Sequence, residues 1–367
     1  MYLIHGGDRE GYMSQYGHMP VDFSVNCNPL GPPLGVQKAI CDSVDTIDVY
    51  PDPLCRRLCR EISEVTGVDS KKIVCGNGAA DMIYRLVQAI RPKRALVIHP
   101  TFSEYGLALA SVGCEMICHT LRHENGFVLN DAVLDAIDTS LDVAFVCNPN
   151  NPTGITADSD LLWKIIEACC RKGVYVIVDE CFNGFLESPE DHTVRYGLGK
   201  YENLLVLDAF TKTYGMAGVR LGYCMCGDMA LKERLITVSQ PWSVSSVAQE
   251  AGIRALREKE YIERSRRLIF EEKKFLVNEF ERMGLEVIGC EANYIFFRSK
   301  VINLRELLCS EGLLIRDCRN YRGLAEGYYR IGVRKHVDNL MLTSTLSEIE
   351  RKVRESGSHT VHCGRND

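Results

Sequence analysis

Two residues eight positions apart, Lys212 and Arg220, have the types and spacing that most directly suggest chemistry in this sequence. Lys212 follows an apolar, strand-like run at 204–207, and a glycine-broken segment separates it from Arg220. Burial at the end of a strand disfavours the ammonium form, so such a lysine loses its proton more easily. The neutral amine forms Schiff bases with carbonyl compounds, and a guanidinium can neutralise a phosphate. We therefore expect a nucleophilic lysine beside an anion site; an ordinary surface lysine is the alternative.

The elements that must position these side chains are short apolar runs that alternate with amphipathic helices from residue 72 onward. The clearest runs lie at 73–75, 95–98, 143–147, 174–178 and 204–208. This alternation predicts an α/β fold whose sheet is mostly parallel and covered on both faces. Polar and glycine-rich segments follow the carboxyl ends of these runs, which is where open α/β sheets bind their ligands.

Four further strand-end features can be interpreted together with the lysine and the arginine. Gly78 and Ala79 open a helix whose free N–H groups can hold a phosphate, and Phe102 can lie flat against an aromatic ring. Asn151 can hydrogen-bond a ring hydroxyl. Asp179 follows an apolar run, so its buried charge would need a cationic partner, such as a protonated pyridine nitrogen. Each feature alone has an ordinary structural explanation; together they predict a site for a phosphorylated aldehyde that withdraws electrons.

Length and composition limit the class of protein. The chain has 367 residues, a length that favours one large and one small domain. Its net charge of −6 argues against nucleic acid as a partner. No basic-then-apolar leader opens the sequence and no apolar run reaches about 18 residues, so we expect a cytoplasmic protein without membrane association.

Seventeen cysteines are scattered without the paired spacing of a structural zinc site, so we expect reduced core thiols and no metal. One group near the end, formed by His359, His362 and Cys363, could bind a metal; a simple polar tail is the alternative.

Shifts in pattern predict four regions. Residues 1–35 are an arm, rich in Asn, Pro and Gly between 22 and 33, that joins the small domain. Residues 36–245 form the large domain, 246–355 a small α+β domain, and 356–367 a polar tail.

On these residues the chain resembles the fold-type I enzymes that use pyridoxal 5'-phosphate, the class I/II aminotransferase superfamily. The resemblance spans essentially all of residues 1–355, and its motifs lie at 76–78, 148–154, 179–180, 211–212 and 218–223. It implies an α/β fold with a mostly parallel seven-stranded sheet in the large domain and a smaller α+β domain.

The resemblance also implies roles for the predicted site residues. Lys212 would form the Schiff base with pyridoxal phosphate, Asp179 would pair with the pyridine nitrogen, and Asn151 would contact the ring hydroxyl. Phe102 would stack on the ring. Thr211 belongs with Gly78, Ala79 and Arg220 among the cofactor contacts. Tyr50 would reach the cofactor phosphate of a neighbouring subunit, which implies a homodimer with shared active sites, and Arg330 would hold the substrate α-carboxylate.

Within the superfamily, the motifs at 5–7, 22–26, 240–244, 292–294 and 316–324 resemble the threonine-phosphate decarboxylase family of cobalamin biosynthesis. This implies decarboxylation of L-threonine O-3-phosphate to (R)-1-aminopropan-2-yl phosphate and CO2. Three alternatives are histidinol-phosphate aminotransferase, from the sister family, a decarboxylase preferring L-serine O-phosphate, and a non-catalytic protein that retained the fold.

The substrate phosphate needs an anion pocket beyond the cofactor, for which we predict His5, Asn26, Arg316 and Arg334. As alternatives, His5 can simply anchor the arm and Arg316 can be a surface strand residue.

Three positions depart from the superfamily pattern. Ala209 replaces a Ser or Thr that donates to the cofactor phosphate, and Phe182 replaces a Tyr that donates to the ring hydroxyl. Asp81 replaces a Glu, which is a milder change.

Overall fold

A mostly parallel seven-stranded sheet is the largest element of the structure, a computed structural model that describes residues 5–356. The candidate metal group His359, His362 and Cys363 and the rest of the tail lie outside the described residues. Strands, numbered in chain order, are β1 Val21–Asp22, β2 Ile73–Gly76, β3 Arg94–His99, β4 Glu115–Thr120, β5 Val143–Cys147, β6 Tyr175–Asp179, β7 Leu204–Ala209, β8 Gly222–Cys226, β9 Glu286–Gly289, β10 Tyr294–Arg298, β11 Leu313–Leu314, β12 Arg316–Asp317 and β13 Tyr328–Gly332.

The α-helices, also in chain order, are α1 Arg9–Tyr16, α2 Leu34–Asp42, α3 Arg56–Thr66, α4 Ala79–Ile90, α5 Ser103–Ser111, α6 Ser159–Lys172, α7 Pro189–His192, α8 Phe210–Thr213, α9 Met229–Thr237, α10 Ser246–Ala255, α11 Lys259–Met283, α12 Leu304–Ser310 and α13 His336–Ser356. Short 3-10 helices span Ser43–Thr46, Ser70–Lys72, His123–Asn125, Asp131–Ala136, Asn183–Phe185, Arg195–Gly199 and Ala217–Val219.

The large sheet has the strand order β2-β8-β7-β6-β5-β3-β4, and only β8 runs antiparallel to its neighbours. Its central strands are buried over nearly their whole length, because helices cover both faces. The predicted α/β fold class with this sheet is confirmed.

A second, antiparallel sheet in the order β12-β13-β10-β9 forms the centre of a smaller body. Its own hydrophobic core includes Phe280, Phe297, Tyr329 and Leu342. The helices α11, α12 and α13 pack around this core.

The N-terminal segment is more regular than its composition predicts. Residues Val21–Asp22 form a short strand that pairs in parallel with Leu313–Leu314. Upstream, α1 is capped by Asp8, whose side chain accepts from the N–H of Gly11, and ends at Gly17 in the left-handed conformation. Both caps are readable in the sequence, so α1 could have been predicted.

Residues 313–317 contain two short strands rather than one continuous strand. Leu313–Leu314 pairs with the arm, and Arg316–Asp317 pairs with β13 in the small antiparallel sheet. The buried Ile315 lies between the two short strands, so each strand pairs with a different neighbour.

The division into regions remains a prediction, and packing suggests one refinement. The helix α10 packs on α2 and α3, and its Ala251 and Ala255 belong to the core of the large sheet. We therefore propose that the boundary at 245 lies after α10 rather than before it. No helix among residues 5–356 has the length and apolar character needed to cross a membrane.

Candidate active site

A cavity of about 440 Å³ opens at the carboxyl ends of β5, β6 and β7. These strands are adjacent and parallel, with Cys147 paired to Asp179 and Asp179 paired to Leu207. Strand ends that are in register place the residues that follow them at one edge of the sheet. The predicted site residues that line the cavity are His5, Asn26, Ala79, Phe102, Asn151, Asp179, Thr211, Lys212, Arg220, Arg316 and Arg330.

An anion cradle is formed by the N-terminus of α4 and the side chain of Arg220. The N–H groups of Ala79 and Ala80 lie in the first turn, where helix geometry supplies no acceptor, and the residues described here provide none either. A Cβ at Gly78 would overlap the Arg220 guanidinium, so glycine lets this cation lie against the turn. The positive end of the helix and the guanidinium therefore converge.

Asp81 tightens the same turn from within the helix. Its Oδ2 accepts from the N–H of Asn77 at 2.7 Å, and its carboxylate is also paired with Arg85 at 2.5 Å. The Asp that replaces the usual Glu thus acts as a local capping group.

Asp179 is buried and held by two donors. The hydroxyl of Tyr105 donates to its Oδ2 at 2.6 Å, and the N–H of Cys181 donates to its Oδ1 at 3.0 Å. Burial, followed by the charge of Asp179, raises the pKa of the Tyr105 phenol well above its usual value, so this phenol remains a donor. Sequence reasoning missed Tyr105, although it lies only three residues after Phe102.

Lys212 lies on the one-turn helix α8, directly after β7. Its side chain is half-buried, and its Nζ is 6.0 Å from the centre of the Phe182 ring. Among residues 5–356, no hydrogen bond or ion pair engages this Nζ. The hydroxyl of Thr211, one position earlier, lines the same cavity and likewise has no hydrogen bond to the described chain.

Arg330 joins three segments at the floor of the cavity. Its Nη1 donates to the side-chain oxygen of Asn151, and its Nη2 donates to the carbonyl oxygen of Ser24 at 2.8 Å. Its Nε is buried and has no hydrogen-bond partner within the described part of the chain. An unsatisfied buried N–H is costly, so this atom is available to an acceptor from a ligand.

Arg316 lies beside Arg330 because the two residues are direct partners in the antiparallel pair of β12 and β13. Direct partners in a β-pair point to the same face, where like charges repel. Arg316 donates to Asn320 at 2.8 Å and lies 5.2 Å from the ring centre of Tyr321. Both residues are buried, so two guanidinium groups lie close together in a region with little access to water. Nearby, the side-chain oxygen of the buried Asn26 has no partner in the structure described.

His5 reaches the cavity from the arm and pairs with Glu104, which sequence reasoning missed. The distance from Nε2 of His5 to Oε1 of Glu104 is 2.6 Å, and the His5 ring centre is 5.7 Å from that of Phe102. The hydrogen bond from His5 outweighs burial and lowers the pKa of Glu104. His5 therefore both anchors the arm and lines the cavity.

Three predicted residues do not line the cavity. Gly78 supports it from behind, as described. Tyr50 is 76% exposed and stacks on Trp242, with ring centres 4.4 Å apart. Arg334 is turned away, since its Nε pairs with Asp338 at 2.9 Å and its Nη1 donates to the carbonyl oxygen of Asp22.

The chemistry of this cavity fits pyridoxal phosphate. The unpaired N–H groups of α4, with Arg220 and the Thr211 hydroxyl, suit a phosphate. The buried Asp179 suits a protonated ring nitrogen, and the unengaged amine of Lys212 suits a Schiff base.

Glu180, next to Asp179, does not line the cavity, and its burial should make the stability of the protein depend on pH. Burial raises its pKa to about 8, although the Thr193 hydroxyl and the Val194 N–H donate to it. An unfolded glutamate has a pKa of about 4.3. The folded state thus holds a proton that the unfolded state loses, so stability falls as pH rises from about 4.3 to about 8.

We expect Glu180→Gln to reduce this loss, because a glutamine can accept from Val194 and donate to Thr193 without titrating. Urea unfolding midpoints measured across this pH range should therefore fall less steeply for the variant than for the unmodified protein. The exposed Glu202→Gln serves as the control and should keep the original slope. Equal slopes for Glu180→Gln and the unmodified protein would contradict the assignment.

Comparison with known proteins identifies the family of this chain. A family model described as aminotransferase class I and II matches residues 19–346. The threonine-phosphate decarboxylase of Salmonella typhimurium is 34% identical over 351 residues, 94% of this chain and 96% of that protein.

Two solved structures share the fold. The histidinol-phosphate aminotransferase of Clostridium acetobutylicum has a TM-score of 0.85 at 26% identity, covering 90% of this chain and 99% of that one. The histidinol-phosphate aminotransferase of Sinorhizobium meliloti, in complex with pyridoxal-5'-phosphate, has a TM-score of 0.86 at 18% identity and covers 96% of both chains. The chain belongs to the class I and II aminotransferase family.

Proposed function

We propose that this protein is a pyridoxal-phosphate-dependent decarboxylase that converts L-threonine O-3-phosphate to (R)-1-aminopropan-2-yl phosphate and CO2. The product would serve as the aminopropanol linker of cobalamin. Similarity to a threonine-phosphate decarboxylase over 94% of the chain supports this reaction.

The observation that carries the proposal is the pair of buried guanidiniums on neighbouring strands. Arg316 and Arg330 lie directly opposite each other at the cavity, where their like charges repel. Two neighbouring buried cations favour a ligand with two anionic groups, and a substrate with both a carboxylate and a phosphate supplies two.

We assign the cofactor contacts to the residues that line the same cavity. Ala79, Arg220 and Thr211 hold the phosphate, and Thr211 supplies a hydroxyl where Ala209 cannot. Asp179 and Asn151 hold the ring, and Phe102 covers one of its faces. Pyridoxal phosphate, when bound, supplies an electron sink for the substrate carbon that loses its carboxylate.

Orientation of the substrate decides which bond breaks. The bond that lies perpendicular to the conjugated ring is the one whose electrons overlap with it, so positioning selects between losing a proton and losing CO2. Arg330 binds the α-carboxylate, while Arg316, His5 and Asn26 bind the phosphate at the other end. Contacts at both ends would fix the orientation of the α-carboxylate and so would select the bond that breaks.

Lys212 returns the proton after CO2 has left. Its Nζ has no competing hydrogen bond in the described chain, and it donates to the α-carbon as a general acid. The ring of Phe182, which is buried, forms an apolar wall 6.0 Å from this Nζ. This wall keeps water away from the proton transfer.

A homodimer would complete the site. The segment 34–54 exposes six large apolar side chains, of which Leu34 is 83% and Tyr50 is 76% exposed. An apolar patch of this kind is typical of an interface between subunits. We infer that a second copy covers it and that Tyr50 reaches the cofactor phosphate of that copy. Sedimentation should give twice the 41.3 kDa of one chain, and Ile47→Asp should give single chains; a monomeric unmodified protein would contradict this.

We propose a cytoplasmic location, because the sixteen described cysteines are all free, as expected in a reducing compartment. Fractionation of the native cells would test this, and recovery outside the cytoplasmic fraction would contradict it.

The reaction itself is tested by supplying L-threonine O-3-phosphate to the holoenzyme without a keto-acid acceptor. A decarboxylase should release CO2 over many turnovers, whereas an aminotransferase should stop after one turnover with its cofactor converted to the amine form. Lys212→Ala is the control and should release no CO2 above background. L-Serine O-phosphate, supplied in a parallel assay, lacks the methyl group of the threonine substrate. A pocket that fits this methyl group should favour the threonine substrate by about 1–3 kcal/mol of transition-state free energy.

The phosphate pocket is tested by comparing two arginines of the small body. Arg316→Ala should raise KM for L-threonine O-3-phosphate by about 10- to 150-fold, because a charge-assisted hydrogen bond contributes about 1.5–3 kcal/mol. Arg334→Ala should change KM far less, since Arg334 is paired with Asp338 outside the cavity. Equal increases in KM for the two variants would contradict this assignment.

A further inference from the structure

A second cavity, separate from the active site, is lined by three thiols. It has a volume of about 460 Å³ and lies between α3, β2 and α9. Cys55 and Cys59 come from the start of α3, and Cys75 comes from β2. None of the roles proposed above uses these residues.

Two of the sulfur atoms are in contact. The Sγ of Cys59 lies 3.7 Å from the Sγ of Cys75. A disulfide requires a separation of about 2.05 Å, so the two sulfur atoms must move closer together for this bond to form. Cys55 lines the same cavity and also contributes to raising the pKa of Cys75, which makes it the competing partner.

The surroundings favour one of these thiols as the nucleophile. The hydrogen bond with Cys75 lowers the pKa of Cys59 and outweighs burial, which raises it; the nearby charge of Lys232 also lowers it. Hydrogen bonding to Cys55 and Cys59, together with burial, raises the pKa of Cys75 well above its usual value. The opposite directions of the two shifts favour Cys59 over Cys75 as the nucleophile.

We propose that Cys59 and Cys75 form an oxidation site, at which a hydroperoxide converts the two thiols into a reversible disulfide. The contact between the sulfurs, the basic lining and the open cavity carry this inference, which does not rest on the proposed reaction.

The chemistry balances with hydrogen peroxide as the oxidant. The Cys59 thiolate attacks the O–O bond and becomes a sulfenic acid, and the departing oxygen leaves as water. The Cys75 sulfur then attacks the Cys59 sulfur, so that the S–S bond forms, the S–O bond breaks and a second water leaves. Two thiols are oxidised by two electrons in total, and one peroxide is reduced. A dithiol reverses the product by exchange.

The position gives the crosslink a structural consequence. It would fasten α3, which follows the Tyr50 segment, to β2, which leads into the Gly78 turn. Leu54 belongs both to the wall of this cavity and to the patch assigned to the dimer. The experiment therefore uses the assembled holoenzyme.

Peptide mapping tests the site directly. The holoenzyme is treated with hydrogen peroxide in the presence of a chelator, blocked with N-ethylmaleimide in acid and digested with trypsin. We expect residues 58–60 joined to residues 73–85, with a mass two hydrogens below their sum, and the loss of this species after dithiothreitol. Cys55→Ser and the matched buried control Cys309→Ser should retain the crosslink, and Cys59→Ser should lack it.

Three results would overturn the proposal, and all can be read from the unmodified protein even if a variant fails to fold. They are no crosslink, a crosslink through residues 39–56, which contain Cys55, or stable sulfinic acid on Cys59. Because the readout is a peptide mass, failure here leaves the proposed decarboxylation untouched, and failure of the decarboxylation leaves this test intact.

Discussion

The contacts of one buried guanidinium hold the active site together. Arg330, on the central strand β13 of the small sheet, reaches Asn151 at the edge of the large sheet and the carbonyl oxygen of Ser24 in the arm. Three segments far apart in sequence therefore meet at one charged group. A guanidinium is suited to this position because its fixed fork can serve two protein acceptors and still present its Nε to a ligand. The side chain that joins these segments therefore also presents an unpartnered N–H to the cavity.

The sequence allows the floor of the site to be predicted, because parallel strands impose it. Asn151, Asp179 and Lys212 each follow an apolar run, and adjacent parallel strands must bring such positions to one edge. Tyr105 and Glu104 cannot be predicted in this way. These residues lie within a helix, and the direction in which each points depends on how α5 packs against β3. Their partners, Asp179 and His5, are distant in the sequence.

The arginines of the small body illustrate a different limit. Arg330 and Arg334 are four residues apart and have the same chemistry in a sequence. The first lies within β13 and opposite Arg316, whereas the second lies beyond the strand end, where Asp338 in the first turn of α13 captures it. Strand bounds and pairing register separate a cavity residue from a structural one, and neither is readable from residue type. In the sequence, Ala209 suggests that the phosphate site lacks one hydroxyl donor. The structure shows that the hydroxyl of Thr211, which has no hydrogen bond to the described chain, lines the same cavity.

Lys212, at the end of β7, is the residue that we expect to bind the carbonyl cofactor. Reduction of the holoenzyme with borohydride makes such a linkage permanent, and a modified lysine is not cleaved by trypsin. We expect mass spectrometry to find the reduced cofactor on the single peptide that spans residues 201–220. Attachment to any other lysine, or a holoenzyme peptide that is still cleaved after Lys212 and carries no added mass, would contradict it.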